Sequence, residues 1–178
     1  MLRDLGLRPR GGAGDVVSRA LLLAIVAIVA IGAATPAPAQ RLGLDGFGLR
    51  SGLDLNSRQV LVGGTLDAGD LVGARLRLRA TGELGGFRGP SSVTVGLDAL
   101  YRFTGDADPV VPYVGGGLAV AGHDGCGTDR GCPALWVGAV FGFEIRYRST
   151  FSWVLEYRGL DAFRHNRLYL GLTTRRGT

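Results

Sequence analysis

Few residues in this chain could carry chemistry. The 178 residues hold two histidines, His123 and His165, and two cysteines, Cys126 and Cys132. His123, Cys126 and Cys132 could supply three zinc ligands, with Asp124 or Asp129 as a fourth. Tetrahedral zinc takes four clear ligands, and the spacing matches no common finger. A Cys126–Cys132 disulfide closing a small loop is the favoured reading, given the oxidising compartment argued below. Gly127 and Gly131 ease the return, and the chain-entropy relation assigns such a loop about 2–3 kcal/mol. Catalysis by either histidine would need a nucleophile within hydrogen-bond reach. His123 is followed by Asp124 and Gly125, His165 by Asn166, and no serine is near His123 in sequence. Surface histidine in a loop is the plainer reading, so the expectation is no enzyme, no metal and no cofactor. Gly115-Gly116-Gly117 is not a phosphate loop, because neither Gly-Lys-Ser/Thr nor a helix follows. It suits a strand that curves or packs closely against a neighbour.

The N-terminus reads as an address. Arg8, Arg10 and Arg19 precede an uncharged run, Ala20 to Ala34, and Thr35-Pro36-Ala37-Pro38-Ala39 follows it. Basic, apolar, then small-x-small is the order of a secretory signal peptide. The run of 15 residues is short of the ~20 that a spanning helix needs. Cleavage is expected after Ala39, so that residues 1–39 are signal and 40–178 form the mature domain. The basic segment is long for a signal, and a start at Val16 or Val17 would make it ordinary. All 20 basic residues are arginine, against 15 acids. Residues 1–39 hold four Arg and two Asp, which leaves 16 − 13 = +3 for the remainder. That charge is too mild, and too poor in aromatic stacking platforms, for a nucleic-acid partner.

Beyond residue 40 the apolar period is two, not 3.6. Leu76, Leu78 and Ala80 alternate with Arg75, Arg77, Arg79, Thr81 and Glu83. Val93, Val95, Leu97, Ala99, Tyr101 and Phe103 alternate with Thr94, Gly96, Asp98, Leu100 and Arg102. Leu135 to Tyr147 and Phe151 to Arg158 repeat the pattern, with Glu144, Arg146, Glu156 and Arg158 on their polar faces. Eight strands are predicted, near 44–55, 58–68, 71–85, 91–103, 110–123, 135–147, 150–160 and 166–175. Turn residues separate them, among them Asn56-Ser57, Gly69-Asp70, Gly89-Pro90 and Thr104-Gly105-Asp106. Several strands exceed the ~5–6 residues common in soluble sheets and reach the ~9–11 of a tilted membrane strand. Short connections imply antiparallel neighbours, and eight strands can close and remove their edges.

Alternation does not say which face is inside. A soluble barrel fills its interior with the apolar face; a membrane barrel inverts this. Three features favour inversion. The apolar faces are unbroken over successive positions. The opposite faces mix charge with glycine and with Trp136 and Tyr169. Tyr101, Phe103, Tyr147 and Phe151 fall at one rim, as an interfacial aromatic girdle would.

Pro112-Tyr113-Val114-Gly115-Gly116-Gly117-Leu118 resembles the PYVGGG strand of small eight-stranded outer-membrane β-barrel proteins, which are porin-like in form. Leu100-Tyr101-Arg102-Phe103, Leu155-Glu156-Tyr157-Arg158 and Leu168-Tyr169-Leu170-Gly171-Leu172 resemble that family's strand four, late E-Y-R strand and final strand, in the family's order. The resemblance implies an all-β, antiparallel up-and-down transmembrane barrel in the outer membrane, with outer-membrane lipid as its surroundings and no single shared activity. The chain departs from the family in having no aromatic at the end of its last strand.

An eight-stranded bore is only wide enough for side chains to fill it. A charge buried there needs a partner, and arginine suits the role through its planar fork. A lumen network is therefore expected from Arg75, Arg77, Arg79, Asp98, Arg102, Glu144, Arg146, Glu156 and Arg158. If Gly85 faces Ser92, opposed residues of strands three and four sum to 177, which sets Arg79 against Asp98 and Arg75 against Arg102. A slip of two residues would set Arg77 against Asp98 instead. The function expected is structural or interactive, in a barrel without an open pore. The alternatives are a soluble periplasmic barrel for a small apolar ligand and a lipid-modifying hydrolase.

Overall fold

Alternating β-branched and aromatic residues favour a pleated surface with two unlike faces, and the chain uses that pattern eight times. The computed structural model describes residues 41–72, 75–87, 91–105, 108–124, 126, 131–148 and 150–174. The expected signal peptide lies outside them. The strands are β1 (Arg41–Asp54), β2 (Gln59–Val72), β3 (Leu76–Gly86), β4 (Ser92–Arg102), β5 (Val110–His123), β6 (Ala134–Arg146), β7 (Phe151–Leu160) and β8 (His165–Thr174). Each pairs antiparallel with the next, and β1 pairs with β8, so the sheet closes into a barrel without a free edge. With an even number of strands, β1 begins and β8 ends at the same rim, called here the terminal rim. The opposite end is the far rim.

The β3–β4 register has Gly85 opposite Ser92, Glu83 opposite Thr94 and Arg79 opposite Asp98, so residue numbers sum to 177 throughout. Arg102 N donates to Arg75 O at 2.8 Å, which continues the same register. The slipped alternative is excluded. The β2–β3 boundary differs from expectation. Gly69-Asp70 does not reverse the chain; β2 runs on to Val72. Gly69 takes φ 90°, open to glycine at little cost, and the β2–β3 register shifts on either side of Asp70. This is a bulge within the strand, and the reversal falls later, so β3 starts at Leu76.

Burial is inverted relative to a soluble barrel. Large apolar side chains face outward, including Leu49, Val62, Leu118, Val137 and Leu170. Arg102, Arg158, Arg167, Asp98 and Glu156 are among the most buried side chains. Leu100, Tyr113, Val140 and Val154 form an apolar cluster in the bore among these charges. Among the described residues no helix is long and apolar enough to cross a membrane.

Candidate functional site

The lumen is built from every second residue of strands whose other face is apolar. Buried inward-facing cations are Arg50, Arg77, Arg79, Arg102, Arg158 and Arg167; buried acids are Asp54, Asp67, Glu83, Asp98, Glu144 and Glu156. Among the described residues the buried balance is 6 − 6 = 0. A neutral set is what a low-dielectric bore requires, since each unpaired ion would cost several kcal/mol.

Two carboxylates act as hubs. Glu83 on β3 accepts from Arg50, from Arg158 Nη1 at 3.1 Å, from Arg167 Nη1 at 2.7 Å and from the Tyr169 hydroxyl at 2.7 Å. Glu156 on β7 is 0 % exposed. It pairs with Arg50 Nη1 and Arg79 Nη2, each at 2.6 Å, and accepts from the Tyr113 hydroxyl at 2.7 Å. Asp98 on β4 lies between Arg158, to which it is hydrogen-bonded, and Arg79 Nη2 at 3.5 Å. Nearer the terminal rim, Arg102 Nη2 meets Glu144 Oε2 at 3.4 Å. Arg77 meets Asp70 at 3.4 Å and Asp67 at 3.9 Å. The Arg50 guanidinium also lies 4.4 Å from the Tyr169 ring centre, within cation–π range. These contacts together draw in all eight strands.

Two voids bear on passage. One of about 20 Å³ lies against Arg50, Asp67, Arg79 and Glu144, room for about one water. The other, about 270 Å³, is a vestibule at the far rim. Its floor holds Asp54, Trp136, His165 and Arg167. Arg167 Nε donates to Asp54 Oδ2 at 3.2 Å, and the His165 and Trp136 rings stack at 4.4 Å.

Of the residues expected in the lumen, Arg77, Arg79, Asp98, Arg102, Glu144, Glu156 and Arg158 are buried there. Arg75 and Arg146 are not; both are exposed at the terminal rim. Arg75 sits in the β2–β3 turn because the bulge delays the start of β3, and its Nη1 reaches the Tyr101 hydroxyl at 3.4 Å. Arg146 is the last residue of β6, where the strand has already emerged from the bore. Tyr101, Phe103, Tyr147 and Phe151 are exposed at this same rim, with Tyr101 and Phe103 edge to face at 5.4 Å. At the far rim Cys126 and Cys132 are disulfide-bonded, with Cα atoms 4.9 Å apart.

Sequence reasoning missed Arg50, Asp54, Asp67 and Arg167 as members of the network, and Glu83 as its hub. On β1 the inward face reads Gly48, Arg50, Gly52, Asp54, so glycine thins the polar signal. Tyr113 and Tyr169 were readable as inward residues by period two, but their carboxylate partners lie on strands far away in sequence.

No protein-family model matches the chain, and no curated protein matches it. Solved structures do. The N-terminal β-barrel domain of Pseudomonas aeruginosa OprF is 16% identical, with a TM-score of 0.59 over 72% of this chain and 94% of that one. A de novo designed transmembrane β-barrel is 17% identical, with a TM-score of 0.55 over 78% of this chain and 99% of that one. Neisserial surface protein A is 15% identical, with a TM-score of 0.51 over 74% and 94%. The chain has the fold of these small eight-stranded barrels.

Proposed function

We propose that this chain is a structural or interaction protein of the bacterial outer membrane, a membrane-spanning barrel whose lumen is filled and does not conduct. The observation that supports this best is the inverted burial: leucine, valine and phenylalanine outside, and an arginine–carboxylate network of zero net charge inside. An outer face of this kind is soluble only in lipid or detergent. A soluble barrel for an apolar ligand would need the opposite arrangement, so that alternative loses its support. The fold shared with small membrane barrels agrees with the proposal.

The network's reach supports a closed lumen. Glu83 and Glu156 and the residues they engage lie on five strands, and the void beside Arg50 and Arg79 has room for about one water. Purified protein folded in detergent should migrate faster on gels unheated than boiled, and should give no large, stable conductance in planar bilayers. Regular, long-lived conductance steps would refute the closed lumen. A lipid hydrolase is less well supported. His165 stacks on Trp136 and faces Asp54 Oδ2 at 3.3 Å within the mouth, away from the lipid-facing surface where an ester would lie. Release of fatty acid from outer-membrane lipid by the pure protein, lost on His123→Ala or His165→Ala, would overturn the structural reading.

A further inference from the structure

We propose that His123, Cys126 and Cys132 form a redox-gated site for a thiophilic d10 cation such as Zn2+ at the far rim, closed as a disulfide when oxidised and open to metal when reduced. The ligand atoms of the three residues lie within 4.8 Å of one another. Their placement follows from the sheet. The β5–β6 register pairs Ala121 with Ala134, so residue numbers sum to 255. The pairing ends there, two residues before His123 on β5 and two residues after Cys132, so both lie just beyond it at the far rim. Cys126 is brought back over them by a turn in which its N–H donates to His123 O at 3.1 Å. The turn is pinned to the neighbouring strand end: Asp124 N donates to Ser91 O at 3.0 Å, and Ser91 N donates to Asp124 Oδ2 at 3.2 Å. His123 and the turn that carries Cys126 are thus held at the barrel end.

Two contacts resemble those that support metal ligands. The His123 backbone N–H donates to Cys126 Sγ at 3.2 Å, a bond that strengthens when the sulfur becomes an anion. His123 Nδ1 lies 2.8 Å from Asp124 O. A carbonyl at that distance fixes the tautomer with the proton on Nδ1, so Nε2 becomes the metal-binding nitrogen. Two thiolates and an imidazole favour Zn2+ or Cu+ over hard cations, and water completes a tetrahedral zinc site with three protein ligands. The site does not exist while the sulfurs are bonded to each other. A dithiol reductant supplies two electrons and two protons, breaks the Sγ–Sγ bond and is itself oxidised to a disulfide. The two thiols formed then release two protons as Zn2+ takes them as thiolates.

The test uses the full chain folded in detergent, in disulfide and reduced forms, with Zn2+ titrated against a chromophoric chelator. Gel mobility before and after heating checks that each form and variant is folded. The expected result is one Zn2+ per chain in the reduced form and none in the disulfide form at the same concentrations. Cys126→Ser and Cys132→Ser should abolish uptake, and His123→Ala should weaken it about tenfold or more. No uptake by the reduced protein, equal uptake by both forms, or a His123→Ala affinity equal to wild type would each overturn the proposal.

Discussion

Glu156 shows what a single residue contributes here. Its carboxylate faces Arg50 and Arg79 at 2.6 Å and the Tyr113 hydroxyl at 2.7 Å, with no water-exposed surface. Glu156→Ala would leave two buried guanidiniums short of a counter-ion. Breaking a buried pair in this way costs about 3–5 kcal/mol, well above the worth of an intact surface pair. Tyr113→Phe removes one hydrogen bond to a charged group and should cost about 1.5–3 kcal/mol. Urea unfolding from lipid vesicles should therefore rank wild type, Tyr113→Phe and Glu156→Ala in falling stability. A Glu156→Ala midpoint equal to wild type would mean that the network does not hold the barrel. Period two was enough to put Glu156, Asp98 and Arg158 on inward faces. The hub role of Glu83 was not legible, because it depends on Arg50, 33 residues before it, and Tyr169, 86 residues after it. Such distances are set only when β1 closes on β8.

At the scale of the strands, the same bore that demands paired charges also demands missing side chains. Gly142 on β6 lies beside the Tyr113 ring and hydroxyl, and a Cβ there would collide with them. Gly117 on β5 lies against the Asp98 carboxylate and the Leu97 carbonyl. Gly82 on β3 has open space where its Cβ would project. Gly142→Ala and Gly117→Ala should therefore destabilise by about 1–3 kcal/mol through overpacking, whereas Gly82→Ala should be neutral or slightly stabilising. The same vesicle unfolding assay reads all three, and equal midpoints would show that these contacts relax without cost. The same crowding accounts for the inward-facing Gly115 and Gly117 of β5, where a Cβ would meet Leu100 and Asp98 respectively. Strand existence and most ends were legible because alternation persists over 10–14 residues. The β2 end was not. Gly69-Asp70 has turn composition, but a glycine at positive φ serves a bulge as well as a turn, and only the neighbouring strand's hydrogen bonds decide between them. Arg75 was misplaced for this reason alone: a strand start five residues earlier would have put it inside the bore.

For the whole molecule the decisive question is what surrounds the outer face, and a substitution series along the barrel wall answers it. Leu118 lies near the middle of β5, paired with Leu97 on one side and Val137 on the other, and all three are exposed. Leu135 lies at the far rim, at the start of β6, and is also exposed. In water, arginine at either position would meet solvent and change stability little. In a bilayer, depth matters: arginine at the midplane of a barrel's lipid face costs about 2–4 kcal/mol, falling to about 0–1 near the interfaces. Leu118→Arg should thus destabilise the vesicle-folded protein strongly and Leu135→Arg weakly, while neither touches the lumen network. The contrast is expected to vanish in detergent micelles, which deform around a charge more readily than a bilayer does. Equal, small effects at both positions in vesicles would mean that the apolar wall does not face hydrocarbon, and the outer-membrane assignment would fall with it. Chain closure, inverted faces and a neutral plug would then need another explanation, such as a partner protein sheathing the barrel.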